Sequence, residues 1–181
     1  TTQTIDHGSA AVEPTVSANT GWVHIGWDKP FDNITGDLNV TAQFTESIVA
    51  VEPVDTNDDG FLEIKGPEEL LWLADDSKLG VFSSVGNKLN ADYEQTADID
   101  MSAILNFDPI GSTSAYFQGN YDGNNHSISN LTINRPDEDY TGLFACSNNN
   151  AEIKNIILIN CSVIGRKYVG GLIGYAPGGS K

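Results

Sequence analysis

Two short stretches near the C-terminal end of the chain are near-copies of each other, and this self-similarity limits the possible folds more than any other feature. His126 to Ile133 reads HSISNLTI and Ala151 to Leu158 reads AEIKNIIL. Ile128-Ser-Asn130-Leu131 returns as Ile153-Lys-Asn155-Ile156, 25 residues on, and Gly142-Leu143-Phe144 returns as Gly171-Leu172-Ile173, 29 residues on. A period between about 20 and 50 residues marks units that cannot bury an apolar face alone and stack on their neighbours. Within each unit the apolar residues alternate or run in short β-rich bursts, with Gly, Asn and Asp between them. The pattern predicts a β-solenoid with one coil per repeat. On the 25-residue offset, Ile128, Leu131, Ile153 and Ile156 should share one core on parallel strands about 4.8 Å apart. Asn130 and Asn155 should then sit one above the other as a ladder of stacked amides.

With 181 residues the chain can hold one large or two small domains, and 39% hydrophobic content supports a packed core. Its 18 glycines fit turn-rich β structure. The net charge of −16 repels phosphate backbones and anionic lipid, so nucleic acid and acidic membranes are poor partners. Cys146 and Cys161 lack a CxxC or a histidine at ligand spacing, so they read as small core hydrophobes rather than a bridge or a zinc site. No run of 18 apolar residues exists, so direct membrane insertion is not expected. The chain opens at TTQTIDHG with no signal-peptide pattern and reads as a piece of a longer protein.

Along the chain, residues 1–51 form a run of short β-type segments punctuated by Gly and Pro. The best strand is Leu38 to Phe44, and Trp22, Ile25, Trp27 and Phe31 are the expected core. Residues 52–60 are acidic and turn-forming and read as a linker. Residues 61–181 carry the repeats. At their start, Gly66-Pro67-Glu68-Glu69 opens the one convincing helix, with proline and two carboxylates in its first turn. A single amphipathic helix there is expected to cover the open end of the solenoid.

Four groups of residues bear on chemistry. Asp55-x-Asn57-x-Asp59-Gly60 is the first half of an EF-hand-like calcium loop, but its twelfth position is Gly66, where a bidentate Glu is required. A solvated acidic linker is the favoured reading, with calcium at Asp55, Asn57 and Asp59 as the alternative and no other cofactor expected. Asp98 and Asp100 flank Ile99, an arrangement that invites a glycosidase-like acid/base pair. Without a third positioning group they read as structural. His7, His24 and His126 stand in unrelated contexts, and no Ser/His/Asp set, HExxH or nucleophile elbow is present, so no catalytic residue is assigned. Trp22, Trp27, Tyr116, Tyr121, Tyr140, Tyr168 and Tyr175 read mainly as core or edge residues, with sugar stacking as the alternative. The sequons at Asn33, Asn39, Asn125, Asn130 and Asn160 read as coincidental.

Two family resemblances attach to these motifs. Gly21-Trp22-Val23-His24-Ile25-Gly26-Trp27-Asp28, Phe31-Asp-Asn33-Ile34-Thr35 and Asp37-Leu38-Asn39-Val40-Thr41-Ala42-Gln43-Phe44 resemble the Listeria-Bacteroides repeat, related to internalin-type B repeats, although the family's first strand has no counterpart at the front. Tyr168-Val169-Gly170-Gly171-Leu172-Ile173-Gly174-Tyr175, Gly142-Leu143-Phe144 and the lead-in Phe117-Gln-Gly119-Asn-Tyr121-Asp122-Gly123 resemble proteins with the GLUG motif. These resemblances imply an all-β chain: a small β-grasp-like module followed by a right-handed parallel β-helix with one N-terminal capping helix. They also imply a non-enzymatic fragment of a secreted or cell-surface bacterial protein acting as an adhesin or stalk. The alternative is the β-helical portion of a polysaccharide-degrading or proteolytic surface enzyme. The implied partner is a surface protein or a carbohydrate, and the fragment itself is expected to be a monomer.

Overall fold

The computed structural model describes residues 2–19, 22–75, 87–148 and 150–177. The chain divides into two compact units, Thr1–Ile48 and Val49–Lys181.

In the first unit, β1 (Trp22–Trp27) and β2 (Ala42–Glu46) pair antiparallel, with a break in register between His24 and Gly26. Gly26 has φ of 129°, a region open to glycine but strained for L side chains, so the bulge falls on the residue that tolerates it. Two expectations change here. The second strand begins at Ala42 rather than Leu38, and Trp22 and Ile25 are exposed. Alternation along β1 sends Ile25 to the face opposite His24. It is His24 that packs, with ring centroids 5.4 Å from both Trp27 and Phe44, while Phe31 meets Trp27 edge-on at 6.0 Å.

The second unit is a parallel β-solenoid. Its strands are β3 (Leu62–Ile64), β4 (Tyr93–Gln95), β5 (Ile99–Asp100), β6 (Asn120–Asp122), β7 (Ser127–Ser129), β8 (Thr132–Thr141), β9 (Phe144–Cys146), β10 (Glu152–Lys154), β11 (Ile157–Ile159), β12 (Ser162–Val169) and β13 (Ile173–Tyr175). They stack in the orders β10-β6-β4-β3, β11-β7-β5, β12-β8 and β13-β9, and every pair is parallel. Leu62, Tyr93, Tyr121 and Ile153 form one inward row, and Ile99, Ile128 and Leu158 a second. Phe117 and Tyr121 pack on Phe144 with centroids 4.9 and 5.4 Å away. Tyr121 is thus a core residue and presents no ring to solvent.

These registers make the coil 28 to 32 residues long, which corrects the 25-residue reading. Ile128 stacks on Leu158 and not on Ile153, and the Asn130 amide N–H donates to the carbonyl of Ile159, 2.9 Å away, at the corner that leads into Asn160. Asn125 and Asn155 form the neighbouring corner, again joined N–H to carbonyl at 2.9 Å. All four asparagines have positive φ, between 52° and 63°. Asparagine tolerates this left-handed geometry better than other side chains. Two successive corners of one coil make the same demand: an inward apolar residue, an outward residue, then a left-handed Asn. The 25-residue similarity therefore compares one corner with the next corner of the following coil. The 29-residue offset is a true rung, because Ile173 pairs with Phe144.

The helix α1 (Pro67–Ala74) follows β3, the outermost strand of its sheet, and buries Leu70, Trp72, Leu73 and Ala74 in the common core. Glu69 reaches back to accept the amide N–H of Gly66 at 2.9 Å, satisfying a donor at the helix start. At the other end the buried Lys88 ammonium donates to the Trp72 carbonyl at 2.8 Å and also to that of Asp75. A cation on the terminal carbonyls of a helix answers both its unpaired acceptors and its dipole. Residues 52–60 are not a free linker. Pro53 is buried, Val51 donates to Glu68 at 3.0 Å, and Glu63 donates its amide to Val54 at 3.2 Å, so the segment is strapped onto β3 and α1.

Coils this close leave no room for a methyl group at some turns. A Cβ on Gly119 would lie 1.9 Å from the Ala91 carbonyl oxygen, whereas one on Gly171 would meet only a side-chain methyl at 3.7 Å. Gly119→Ala is expected to lower the unfolding free energy by about 2–3 kcal/mol, and Gly171→Ala by less than about 1 kcal/mol, in urea titrations followed by circular dichroism.

Candidate functional site

Asp98 and Asp100 lie on the outer surface of the solenoid, each tied to the next coil. Ile99 points inward, so alternation sends Asp98 and Asp100 outward together. Asp98 accepts the Ser127 amide N–H at 2.7 Å, with His126 Nδ1 3.5 Å away. Asp100 accepts the Asn130 side-chain amide and the Ser102 N–H, both at 2.9 Å. One coil later Asp122 accepts the Asn155 side-chain amide and the Asn124 N–H, again at 2.9 Å. Asn130 and Asn155 do not stack on each other. Each turns a corner and donates to a carboxylate of the preceding coil.

These hydrogen bonds stabilise the ionised acids. The Ser127 amide holds Asp98 below the usual carboxylate range, aided by the neighbouring His126. The Asn130 amide does the same for Asp100. For Asp122, partial burial opposes ionisation but is outweighed by Asn124, Asn155 and Lys154. A general acid at neutral pH needs its pKa raised, so both halves of the Asp98/Asp100 pair are shifted the wrong way for a donor.

The Asp55 loop closes on itself. Asp55 Oδ1 accepts the amides of Asp58 and Asp59 at 2.7 and 3.2 Å, and Oδ2 accepts that of Gly60 at 2.9 Å. Asp59 accepts the Phe61 amide at 2.9 Å. Asp58 and Gly60 take positive φ of 62° and 94°, the geometry such a turn requires. Glu63, an acid within reach of the loop in sequence, instead bonds Thr56 and lies 2.7 Å from the Lys65 ammonium. Gly66, at the closing position, is the N-cap of α1. Among the described residues no three His, Cys, Asp or Glu side chains are gathered to hold a metal ion.

A cluster of aromatic and polar groups on the solenoid surface was only partly legible in sequence. Tyr140 and Tyr168 stack with centroids 4.9 Å apart and planes 2° from parallel, and Tyr175 packs edge-on to both at 5.3 and 5.9 Å. Tyr140 and Tyr168 both have positive φ, 64° and 55°, one coil apart. Tyr168 leaves 55% of its surface exposed. Beside Tyr140 lies a cleft of about 320 Å³ whose lining includes Asp108, Ser112, Thr113, Arg135 and Asp139. Arg135 bridges coils by pairing with Asp108 and also pairs with Glu138 of its own strand at 3.2 Å, while its Nε is buried without a partner. Arg166 pairs with Asp139 through Nε at 2.8 Å. Both inter-coil pairs, Asp108 with Arg135 and Asp139 with Arg166, are 27 residues apart, a charge repeat present in the sequence and unused in its reading. A larger cleft of about 630 Å³ in the first unit is lined by Thr2, His7, Phe31 and Asp37 among others.

Both cysteines are free. Cys146 is a core residue whose thiol is pushed up to about 11 by burial, and Cys161 is half-buried with its sulfur 3.4 Å from the Ile159 carbonyl. Among the described residues no helix is long and apolar enough to cross a membrane.

The chain is 34% identical over 125 residues, 63% of its length, to Halomucin of Haloquadratum walsbyi. It is 34% identical over 71 residues, 36% of its length, to a Putative Gly-rich membrane protein of Evansella cellulosilytica. The matches span only 1% and 8% of the lengths of those relatives. No family model matches the chain, and no solved structure does.

A group whose pKa is lowered on folding contributes stability above its unfolded pKa, and that contribution is lost as pH falls through the folded value. Asp100→Asn is therefore expected to be less stable than the parent at pH 7, with the difference closing as pH drops below about 4, the ordinary carboxylate range. Urea midpoints across the pH series check this. For the Asp55 loop, Asp55→Ala should cost about 1–2 kcal/mol in chelator-treated buffer, since three amides lose their acceptor without any cation being involved.

Proposed function

We propose that this chain is part of a secreted or cell-surface protein in which the solenoid acts as an extracellular scaffold, presenting its outer face to a surface partner, and that it catalyses no reaction. The observation that carries this reading is the fate of the carboxylates. Asp98, Asp100 and Asp122 each bind a backbone or side-chain amide of the neighbouring coil, which lowers their pKa and uses them to hold turns. An acid/base enzyme needs a donor and an acceptor tuned apart and aimed at one reacting atom. A strongly acidic surface keeps an extended scaffold soluble and separate from other anionic polymers. The resemblance to GLUG-type surface proteins and the likeness to a Putative Gly-rich membrane protein support the same setting.

Within this reading the binding surface is the side carrying Tyr140, Tyr168 and Tyr175. An exposed tyrosine ring offers a flat apolar face with a polar rim, suited to a sugar ring or a partner side chain. The cleft beside it adds the hydroxyls of Ser112 and Thr113 and the paired charges of Arg135 and Asp139. Calcium at Asp55, Asn57 and Asp59 has no comparable support, because the loop meets its geometry through its own amides.

The reading is tested in two ways. The purified chain incubated with polysaccharide and peptide panels should give no turnover; product formation abolished by Asp98→Asn or Asp100→Asn would establish an enzyme. Antibody raised against the chain should label intact cells of the source organism without permeabilisation. Binding found on a glycan or surface-protein array should fall at least about tenfold in Tyr168→Ala, the loss expected when one stacking contact is removed.

A further inference from the structure

The cleft of about 320 Å³ beside Tyr140 is walled by two successive levels of the solenoid. Asp108, Ser112 and Thr113 come from the loop between β5 and β6, and Arg135, Glu138 and Asp139 from β8. Its lining ends at Ala145, so the cleft belongs to the coils before β10. The loop is fixed in place by its own hydrogen bonds. Ala145 donates its amide to the Ile110 carbonyl at 2.8 Å, and Ser112 and Ala115 bond each other across a tight turn at 2.8 and 3.2 Å. Gly111 has φ of 77°, and a Cβ there would lie 3.0 Å from the Cys146 carbonyl oxygen, so this turn is fitted closely against β9. A wall ordered in advance lowers the entropy cost of binding.

Charge in the cleft is arranged in pairs. Arg135 bonds Asp108 and, at 3.2 Å, Glu138, while Asp139 accepts from Nε and Nη2 of Arg166 at 2.8 and 3.1 Å. The Arg166 hydrogen bonds hold Asp139 below the usual carboxylate range. Each lining carboxylate thus faces a guanidinium, yet Asp108 and Glu138 leave 67% and 60% of their side chains exposed, with lone pairs open to a ligand. We propose that this cleft binds a short segment of a neutral glycan, one or two uncharged hexose rings. The inference deepens the reading under Proposed function and rests on it for the extracellular setting. A carboxylate beside a guanidinium sets an acceptor next to a donor, and the vicinal hydroxyls of a sugar, each both donor and acceptor, match that alternation. Ser112 and Thr113 add two hydroxyls, and Tyr140 an apolar surface for the sugar C–H groups. Charged ligands fit worse. A uronate would bring its carboxylate against three others, where the arginine hydrogens are already committed, and a lysine would have to displace an arginine from its acid. The volume lies at the small end of ligand clefts, which run from about 300 to 1,000 Å³, and suits a few sugar atoms better than a folded partner element.

The test is amide NMR titration of the purified chain with cellobiose, lactose, mannobiose and diacetylchitobiose, set against glucuronic acid and a tetralysine peptide. At least one disaccharide is expected to move the signals of Ser112, Thr113 and Tyr140 with a Kd of about 0.1–10 mM, while the two charged probes leave them in place. Thr113→Val removes one exposed hydroxyl and should weaken that disaccharide about three- to tenfold with unchanged melting. Asp108→Asn combined with Glu138→Gln frees Arg135 from both acids and should admit glucuronic acid at the same amides; should this double variant not fold, Thr113→Val and the selectivity of the parent decide. The proposal is overturned by a parent that binds none of the disaccharides, by larger shifts with either charged probe, by disaccharide shifts that bypass Ser112 and Thr113, or by a folded double variant that still rejects glucuronic acid. In those cases the scaffold reading still rests on cell labelling and absence of turnover. Hydrolysis of a bound disaccharide would instead sink that reading and leave the cleft assignment intact.

Discussion

The structure depends on the corner where a coil turns while keeping contact with the next. There the chain needs a left-handed residue whose amide N–H reaches the carbonyl of the neighbouring coil. Asn125 and Asn130 do this toward Asn155 and Ile159, both at 2.9 Å. A left-handed residue costs strain in most side chains, and asparagine reduces that cost through its short polar side chain. Two corners five residues apart then set the length of the strand between them. In β7 and β11 this leaves three residues with one inward side chain, and stacking them on β5 gives the row Ile99, Ile128, Leu158.

Once the corners fix the register, outward positions of successive coils come within hydrogen-bond reach, and the acidic residues become part of the frame. Asp100 with Asn130 and Asp122 with Asn155 join a carboxylate to an amide of the following coil; Asp108 with Arg135 and Asp139 with Arg166 join it to a guanidinium. Individually such exposed contacts stabilise little. Repeated at each level they favour one register over a slip, since a shift of one residue would turn every outward group inward. This is how a chain of net charge −16 can stack closely: many of its carboxylates face a donor from the next coil.

Solenoid architecture was legible because repetition and inward alternation are local properties of sequence. The helix start was legible for the same reason, as Pro67, Glu68 and Glu69 act within one turn. The register was harder to read. Ile128-Ser-Asn130 and Ile153-Lys-Asn155 match because neighbouring corners obey one rule, and a match between equivalent demands does not reveal which corner lies above which. The 27-residue spacing of both acid–arginine pairs carries the period more directly, since an inter-coil ion pair exists only between stacked levels. Residues 52–60 misled for a different reason. Their composition is that of a linker, but Asp55 makes a compact turn from amides, a contribution that hydrophobicity does not register. The Lys88 anchor could not be read at all, because nothing local distinguishes a lysine that will meet helix carbonyls 13 and 16 residues earlier.

Stacking also distributes stability unevenly along the solenoid. Each coil gains from two neighbours except the outermost, so burial should fall where a neighbour is missing. At the first coil α1 supplies that neighbour, and Leu62 and Ile64 are buried. At the last coil the inward residues Leu158, Cys161, Val163 and Ile173 are only partly buried, whereas Ile128, Leu131, Ile133 and Phe144 one level below are fully buried. Local opening is easiest where buried apolar area is smallest, so among the described residues amide exchange is expected to be faster in β10 to β13 than one level below. Tyr168 and Tyr175 belong to that coil, while Tyr140, against which both pack, belongs to the more deeply buried one below. The aromatic surface is therefore shared between two levels, one ring from the fully buried coil and two from the coil stacked on it, and its geometry depends on the register that joins them.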